Sequence, residues 1–182
     1  MGIAESVANA SAYLTSHPDE ARYRDGAATA SLESGLRVSV AGPGGESLTT
    51  DMPSGIGGGN SAPSPGWYLR AATAACVASL IGIRAAATGT ICDGVEVIAD
   101  SESDDRGILG LAEDIPAGPL SVRIVISIQS SADSADIEAL ARWAVAHCPV
   151  SDAVARAVPV EIVVTLQHLD EAAHVVEALE DS

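Results

Sequence analysis

The chain has 182 residues, which suffices for one domain that buries about two thirds of its unfolded surface. Nine arginines and no lysine face 25 acidic residues, and the formal net charge is −16. This balance argues against a nucleic acid or an anionic membrane as partner, because both require clustered basic side chains. The first residues lack the basic and apolar regions of a secretory signal, so we expect a cytoplasmic protein.

The first fifty residues predict a helix followed by a small sheet. Residues 3–17 form an amphipathic pattern that ends at His17-Pro18. Apolar and polar side chains then alternate over 28–33 and 36–40, on either side of the turn residues Ser34-Gly35. The Pro43-Gly-Gly turn leads into a third short run at 47–50. The pattern predicts a three-stranded antiparallel meander.

A glycine-rich loop, GIGGGNSAPSP, covers residues 55–65. It lacks the GxGxxG order and the Lys-Ser/Thr pair of phosphate-binding loops, so we do not expect a nucleotide site. We interpret it as a connector in which the backbone passes close to another element. Ser64 and Pro65 are then expected as the N-cap and first residue of the following helix.

The helix predicted over residues 66–88 is apolar on every side, with Cys76 among its small side chains. Because it contains Arg70 and Arg84 and is dominated by alanine, we interpret it as a buried helix of a soluble protein and not as a membrane span. A helix without a polar face must be covered all round by a sheet, another helix or a second subunit.

The second half continues the alternation of strands and helices, which predicts an α+β fold. We expect strands near 95–100, 120–128 and 160–166, a helix at 134–147, a short helix at 154–158 and an acidic helix at 171–179. The predicted domains are a helical extension at 1–26, the main domain at 27–168 and the acidic C-terminal helix at 169–182.

An acidic turn separates the first two of these strands and contains Asp100, Asp104 and Asp105. Acidic side chains are possible cation ligands, but this turn lacks the spacing and central glycine of a calcium loop. We therefore interpret it as a solvated loop. The sequence predicts neither a metal site nor a cofactor site.

The three cysteines are odd in number and have no CxxC spacing, which argues against a disulfide framework and a zinc site. Cys92 lies beside a turn and is interpreted as structural. Cys76 lies in the alanine-rich helix, and Cys148 lies in the motif His147-Cys-Pro-Val. A cysteine in an alanine-rich helix is commonly a small buried hydrophobe, whereas the two together suggest thiol redox chemistry.

Four features in this order resemble the OsmC/Ohr family of thiol-dependent peroxidases. They are the glycine-rich loop with Ser64-Pro65, the Ala-Ala-x-Ala-Ala-Cys run ending at Cys76, a following strand of the Gly-x-Glu-Val type, and the His-Cys-Pro-Val motif at 147–150. The resemblance covers roughly residues 27–165. It implies an intertwined homodimer in which antiparallel sheets wrap around long central helices.

The resemblance also implies a mechanism. Cys76 would be the thiolate that attacks a peroxide and becomes a sulfenic acid, and Cys148 would condense with it to form a disulfide. The partners implied are an organic hydroperoxide or hydrogen peroxide as substrate, and a thiol or dithiol as reductant. Cys76 lies about three turns into its helix, too far for the helix dipole to lower its pKa, so an arginine is needed.

By resemblance that arginine comes from the early strands, which implies Arg37, with Arg24 as the less favoured choice. The family also has a glutamate after the proline that opens the long helix, but here Gly66 follows Pro65. Glu33 is a possible substitute. The departure favours an alternative in which the chain is a catalytically silent OsmC-like domain that binds a small apolar ligand at the dimer cleft.

Overall fold

The computed structural model describes residues 2–166 and has an α+β fold, as predicted. The helices are α1 (Ile3–Ser16), α2 (Pro65–Thr88), α3 (Asp105–Ile108), α4 (Ser134–Ala146) and α5 (Pro149–Ala155). The strands are β1 (Thr29–Leu32), β2 (Val38–Ala41), β3 (Ser47–Thr50), β4 (Gly94–Glu102) and β5 (Ser121–Gln129). Short 3₁₀ turns lie at Pro18–Ala21 and Ser54–Ile56. The acidic helix predicted at 171–179 lies outside the described residues.

The strands form two separate antiparallel sheets. The first has the order β1-β2-β3, which confirms the predicted meander, and Gly35 turns between β1 and β2 with a φ of 59°. The second is the long ribbon of β4 and β5, in which Val97 is opposite Ile126. The hydroxyl of Tyr68 at the start of α2 donates to the carbonyl of Thr49 on β3 at 3.1 Å and so ties α2 to the first sheet.

The core lies between α2, α4 and the ribbon. Val77, Ile81 and Ala85 recur every four residues on α2, so they form one stripe along the helix. The facing stripe consists of Leu140 and Ala144 on α4 and of Cys148 just beyond it, again at a spacing of four. The inward side chains of the ribbon close this core from the other side: Val95, Val97, Ile124, Ile126 and Ile128.

Local sequence sets both ends of α2. The Ser64 hydroxyl accepts a hydrogen bond from the Trp67 backbone N–H at 3.3 Å, and Pro65 occupies the first helical position. Gly89 ends the helix in the left-handed conformation, with a φ of 72°. Within residues 2–166 α2 is the one helix long and apolar enough to cross a membrane. Its packing against β4 and α4 accounts for that apolar character within the domain.

The described chain covers α2 with α1, β4, α4 and α5 but leaves part of its surface exposed. Its core stripe is buried, but Trp67, Leu69 and Ile83 remain 48%, 36% and 37% exposed. The cover predicted on all sides is therefore incomplete within the described part of a single chain, and cover by a second subunit remains a prediction.

The glycine-rich loop is the close backbone crossing that its composition predicts. A Cβ atom on Gly58 would lie 1.8 Å from the carbonyl oxygen of Met52, so only glycine fits there. The loop wraps around the carboxylate of Asp51, which accepts backbone N–H bonds from Met52, Gly59 and Ser61 at 2.8 to 3.2 Å. These loop donors are thus already bound to an anion of the protein itself.

Three predictions for the second half are wrong. The short helix lies at Pro149–Ala155, and not at 154–158, because Pro149 begins it. Residues 160–166 form no ladder with either sheet among the described residues and are largely exposed, so the sheet is not closed within one chain. The acidic segment is not simply a loop, since Asp100 lies on β4 and pairs with Arg123, while Asp104 caps α3 and pairs with Arg106.

Candidate functional site

The position of Cys148 follows from the proline after it. Pro149 cannot continue α4, and a residue before proline is driven out of the helical region. Cys148 accordingly has φ −77° and ψ 114° and caps α5, where its sulfur accepts the backbone N–H of Ser151 at 3.4 Å. The side chain points into the core and is 0% exposed.

Cys76 lies in the middle of α2 and packs against the core that contains Cys148. It lies one residue before Val77 of the buried stripe and is half-buried at the edge of the core. The two thiols are close enough to influence each other's pKa, and the backbone N–H of Val150 lowers the pKa of both. Both cysteines are free thiols. The structure thus brings together the two cysteines that the sequence singles out.

The surroundings separate the acidities of the two thiols. Burial raises the pKa of Cys76, and the adjacent Cys148 raises it further, while the N–H of Val150 lowers it. Burial also acts to raise the pKa of Cys148, but the hydroxyl and backbone N–H of Ser151, together with Cys76 and Val150, outweigh it and the net pKa is lowered. Within the described chain the pKa of Cys76 is therefore raised and that of Cys148 is lowered.

Arg37 lies just before β2 and belongs to a different polar cluster. Its Nε donates to Glu33 at 3.1 Å and its Nη1 donates to the Ser61 hydroxyl at 2.8 Å. Ser61 in turn donates to Asp51 at 2.7 Å. Glu33, considered from the sequence as a substitute carboxylate, is the ion-pair partner of Arg37.

Neither predicted arginine acts on Cys76 within one chain. The influences on the pKa of Cys76 are burial, Cys148 and Val150, and among the described residues they include no arginine. Arg24 is exposed in the segment before β1. The charge that the mechanism needs at Cys76 is not supplied within residues 2–166 of a single chain.

Sequence reasoning did not identify a role for Arg70. It lies half-buried on α2, and its guanidinium donates to the Ser101 hydroxyl on β4 at 3.4 Å. A Cβ atom on Gly66 would lie 3.7 Å from the nearest guanidinium nitrogen of Arg70. The signal for this residue was its spacing, since Arg70 follows position 66 by one helical turn.

Ser151 was also missed. Its hydroxyl oxygen is buried and has no complete hydrogen bond within the described chain. It nevertheless lies close enough to Cys148 to lower the pKa of that thiol. The signal was the position of Ser151 three residues after a cysteine that precedes proline, which is the spacing of a helix cap.

An open groove of about 340 Å³ includes Ser151, whose backbone N–H donates to Cys148, although neither cysteine lines it. Thr73, one turn before Cys76, and Ser151 also line it, and the Thr73 hydroxyl donates to the carbonyl of Leu69 at 2.9 Å. The rest of the lining is mostly apolar and comes from β5 and its approach and from α5: Pro119, Leu120, Ser121, Val122, Ile124, Val154 and Ala155. The arrangement suits a small molecule with an apolar body and one polar end.

The remaining sequence candidates have structural roles. Cys92 packs against the edge of the core. His147 ends α4, with its ring stacked on Trp143 at 4.2 Å and its Nδ1 2.8 Å from the Trp143 carbonyl oxygen. Within residues 2–166 no group of three His, Cys, Asp or Glu side chains is placed to hold a metal ion.

Comparison with known proteins places this site in a family. The family model described as "OsmC-like protein" matches residues 58–163, which is more than half of the chain and includes both Cys76 and Cys148. The chain belongs to the OsmC-like family. No curated protein sequence matches it significantly.

Solved structures share the OsmC-like fold at low sequence identity. An organic hydroperoxide resistance protein OsmC from Legionella pneumophila is 22% identical with a TM-score of 0.59, over 73% of this chain and 90% of that one. An OsmC-like protein from Mycoplasma pneumoniae is 15% identical with a TM-score of 0.63, over 74% and 89%. An organic hydroperoxide resistance protein from Elizabethkingia anophelis is 20% identical with a TM-score of 0.60, over 74% and 90%.

Proposed function

We propose that this OsmC-like protein is a thiol-dependent peroxidase that reduces organic hydroperoxides or hydrogen peroxide through Cys76 and Cys148. The observation that carries the proposal is the proximity of the two free thiols, one on α2 and one before α5. Membership of the OsmC-like family and the names of the Legionella and Elizabethkingia relatives support it.

In the proposed reaction Cys76, the more accessible of the two thiols, reacts with the peroxide. Cys76, as thiolate, attacks one peroxide oxygen, the O–O bond breaks, and an alcohol or water leaves after taking up a proton. Cys76 is then a sulfenic acid. Cys148 attacks the sulfenic sulfur, water leaves, and a Cys76–Cys148 disulfide forms. A thiol or dithiol of the cell returns the pair to the reduced state.

The groove favours organic hydroperoxides over hydrogen peroxide as substrate. Its lining from β5 and α5 is mostly apolar, and a hydroperoxide with an alkyl or aryl body gains free energy by leaving water there. Hydrogen peroxide has no apolar part to bind.

We further propose a homodimer in which the arginine for Cys76 comes from a second copy. The uncovered sides of α2, including Trp67 and Ile83, provide the apolar surface for association. Arg37 is about 40% exposed and already oriented by Glu33, so it is available at the surface of the first sheet. The three free thiols suit a reducing compartment, and we propose the cytoplasm.

Consumption of cumene hydroperoxide with dihydrolipoamide as reductant tests the peroxidase proposal. We expect turnover by the wild type and by Cys92→Ser, the matched control that removes the third cysteine. Cys76→Ser should abolish turnover, because a serine hydroxyl does not form a sulfenic acid. Cys148→Ser should complete the first turnover and accumulate sulfenic acid. Equal rates for wild type and Cys76→Ser would refute the proposal.

The second candidate function is a catalytically silent OsmC-like domain that binds a small apolar ligand. Two points favour it: Gly66 stands where the family resemblance implies a glutamate, and no arginine acts on Cys76 within the described chain. Binding of a non-oxidising analogue such as cumyl alcohol, without any peroxide consumption by the wild type, would support this candidate instead.

A further inference from the structure

The unpaired hydroxyl of Ser151 requires an explanation. A buried polar atom without a hydrogen bond is costly and uncommon in native proteins. Ser151 Oγ is such an atom, and it lies beside the sulfur that already accepts the backbone N–H of the same residue. A neutral thiol is a weak acceptor, whereas a thiolate is a strong one. The hydroxyl is therefore placed to form its hydrogen bond when Cys148 becomes negatively charged.

The two sulfurs also differ in accessibility. Cys148 is 0% exposed, while Cys76 lies at the edge of the core and is reached by solvent. An external thiol approaching a disulfide between them meets the sulfur of Cys76 first. The more accessible sulfur, Cys76, is therefore the one that a reductant attacks. The sulfur whose negative charge is stabilised, Cys148, is the one that leaves.

We propose that the disulfide is reduced in one direction only, by attack of the reductant on Cys76, with Cys148 leaving as a thiolate held by Ser151. This inference rests on the proposed redox pair and assigns Ser151 as a positioning residue for the leaving sulfur. It concerns the reductive half of the cycle, in which the peroxide takes no part.

The step balances as an ordinary thiol–disulfide exchange. The thiolate of a cellular thiol or dithiol attacks Cys76 Sγ, the bond between Cys76 and Cys148 breaks, and its electron pair goes to Cys148 Sγ. A mixed disulfide then joins the reductant to Cys76. A second thiolate attacks the reductant's sulfur in that mixed disulfide, Cys76 leaves and takes up a proton, and the reductant ends as a disulfide.

Locating the mixed disulfide tests the direction of attack. The wild-type pair is oxidised with diamide, so that no peroxide activity is needed, and then mixed with excess glutathione. Acid stops the exchange, the unfolded protein is alkylated with N-ethylmaleimide, and its peptides are analysed by mass spectrometry. We expect glutathione on Cys76 and the maleimide on Cys148. Glutathione on Cys148, or an even division between the two, overturns the proposal.

The role of Ser151 is tested by the rate and pH dependence of the same reduction. Ser151→Ala removes the hydroxyl but keeps the backbone N–H, and we expect glutathione attack to slow by about fivefold to tenfold, with the pH midpoint of Cys148 ionisation shifted upward. Ser151→Thr should restore both. Ser130→Ala, which removes a hydroxyl at the far end of β5, is the matched control and should leave both unchanged.

A structural role of Ser151 would lower the melting temperature without moving the pH midpoint, and that result would overturn its assignment. Failure of the two proposals is distinguishable. If peroxide is not consumed but glutathione is found on Cys76, the peroxidase proposal fails and the direction of attack stands. If peroxide is consumed but glutathione is found on Cys148, the reverse holds.

Discussion

Asp51 and Cys148 are two buried hydrogen-bond acceptors. Each lies beside backbone N–H groups and a serine hydroxyl, but Asp51 accepts more hydrogen bonds than Cys148 does. Asp51 is 3% exposed, and its carboxylate accepts three backbone N–H bonds and the Ser61 hydroxyl. Cys148 has the N–H of Ser151 and a hydroxyl that is not yet used. A permanent charge receives its full set of donors in the resting protein. In our proposal the negative charge on Cys148 is transient, and the Ser151 hydroxyl donates to it only while that charge is present.

The largest effect is expected from disturbing the Asp51 loop without touching the thiols. A Cβ at Gly58 would overlap the carbonyl of Met52, so Gly58→Ala should destabilise the protein by about 3 kcal/mol. Gly55→Ala is the matched control, since its Cβ meets no atom within 4 Å. Urea unfolding measures the difference. Diamide oxidation of the remaining folded protein should proceed at the wild-type rate, and a slower rate would show that the two regions are coupled.

The next largest effect is expected from Arg37, which bonds Ser61 of the Asp51 cluster and, in our proposal, acts on Cys76 of a second copy. Arg37→Ala should slow the attack of Cys76 on peroxide at least tenfold, because it raises the pKa of Cys76 and removes charge stabilisation. Its effect on stability should be only about 0.5 kcal/mol, since the ion pair with Glu33 is exposed to solvent. Stopped-flow measurement of a single turnover gives the rate, and Arg70→Ala provides the comparison.

Mixing variants shows whether Arg37 acts across a dimer. A dimer of one Cys76→Ser chain and one Arg37→Ala chain contains one intact site only if the arginine comes from the other copy. We therefore expect activity to return when the two variants are unfolded together and refolded. An unchanged low rate would place the arginine in the same chain, and a greater loss in Arg70→Ala would transfer the role to Arg70.

A smaller effect is expected from acid. The N–H and hydroxyl of Ser61, with the N–H groups of Met52 and Gly59, lower the pKa of Asp51 to about 2 despite its burial. The pKa in the unfolded chain is about 3.9, so this stabilisation is complete above about pH 4 and is lost as the pH falls toward 2. Asp51→Asn should flatten the dependence of unfolding free energy on pH in that interval. Asp133→Asn, whose side chain makes no capping bond, should keep the wild-type slope.

The smallest effect is expected from restoring the family carboxylate. Gly66→Glu places a carboxylate in the first turn of α2 beside the guanidinium of Arg70. Helix propensity and the helix dipole should together stabilise the protein by about 1 kcal/mol. Gly66→Gln separates propensity from charge. An increase in peroxide turnover for the glutamate variant alone would show that Gly66 limits catalysis, whereas equal rates would show that this chain works without the carboxylate.

The local patterns of the sequence predicted most of the fold. Alternation, Ser34-Gly35 and Pro43 predicted the meander, and Ser64-Pro65 predicted the start of α2, because caps and turns act within a few residues. The strand predicted at 160–166 failed for the opposite reason. A strand needs a partner edge, and within the described chain none is offered to this segment, where Val160 is 83% exposed.

Some residues of the candidate site were also predictable from local sequence, and others were not. Cys76 and Cys148 were identifiable from their motifs, and the spacing of four on α4 extended to Cys148 brings its sulfur to α2. The pairing of Arg37 with Ser61, and the unpaired hydroxyl of Ser151, depend on contacts between distant parts of the chain. Single-sequence periodicity carries no information on such contacts.

The exposed part of α2 links the stability of this protein to its concentration if the proposed homodimer forms. If a second copy covers Trp67 and Ile83, the folded state gains free energy by mass action, and dilution returns that apolar surface to water. The melting temperature should then rise with protein concentration, as it does for any dimer whose chains fold and associate together. A cell that makes little of the protein would hold a less stable one.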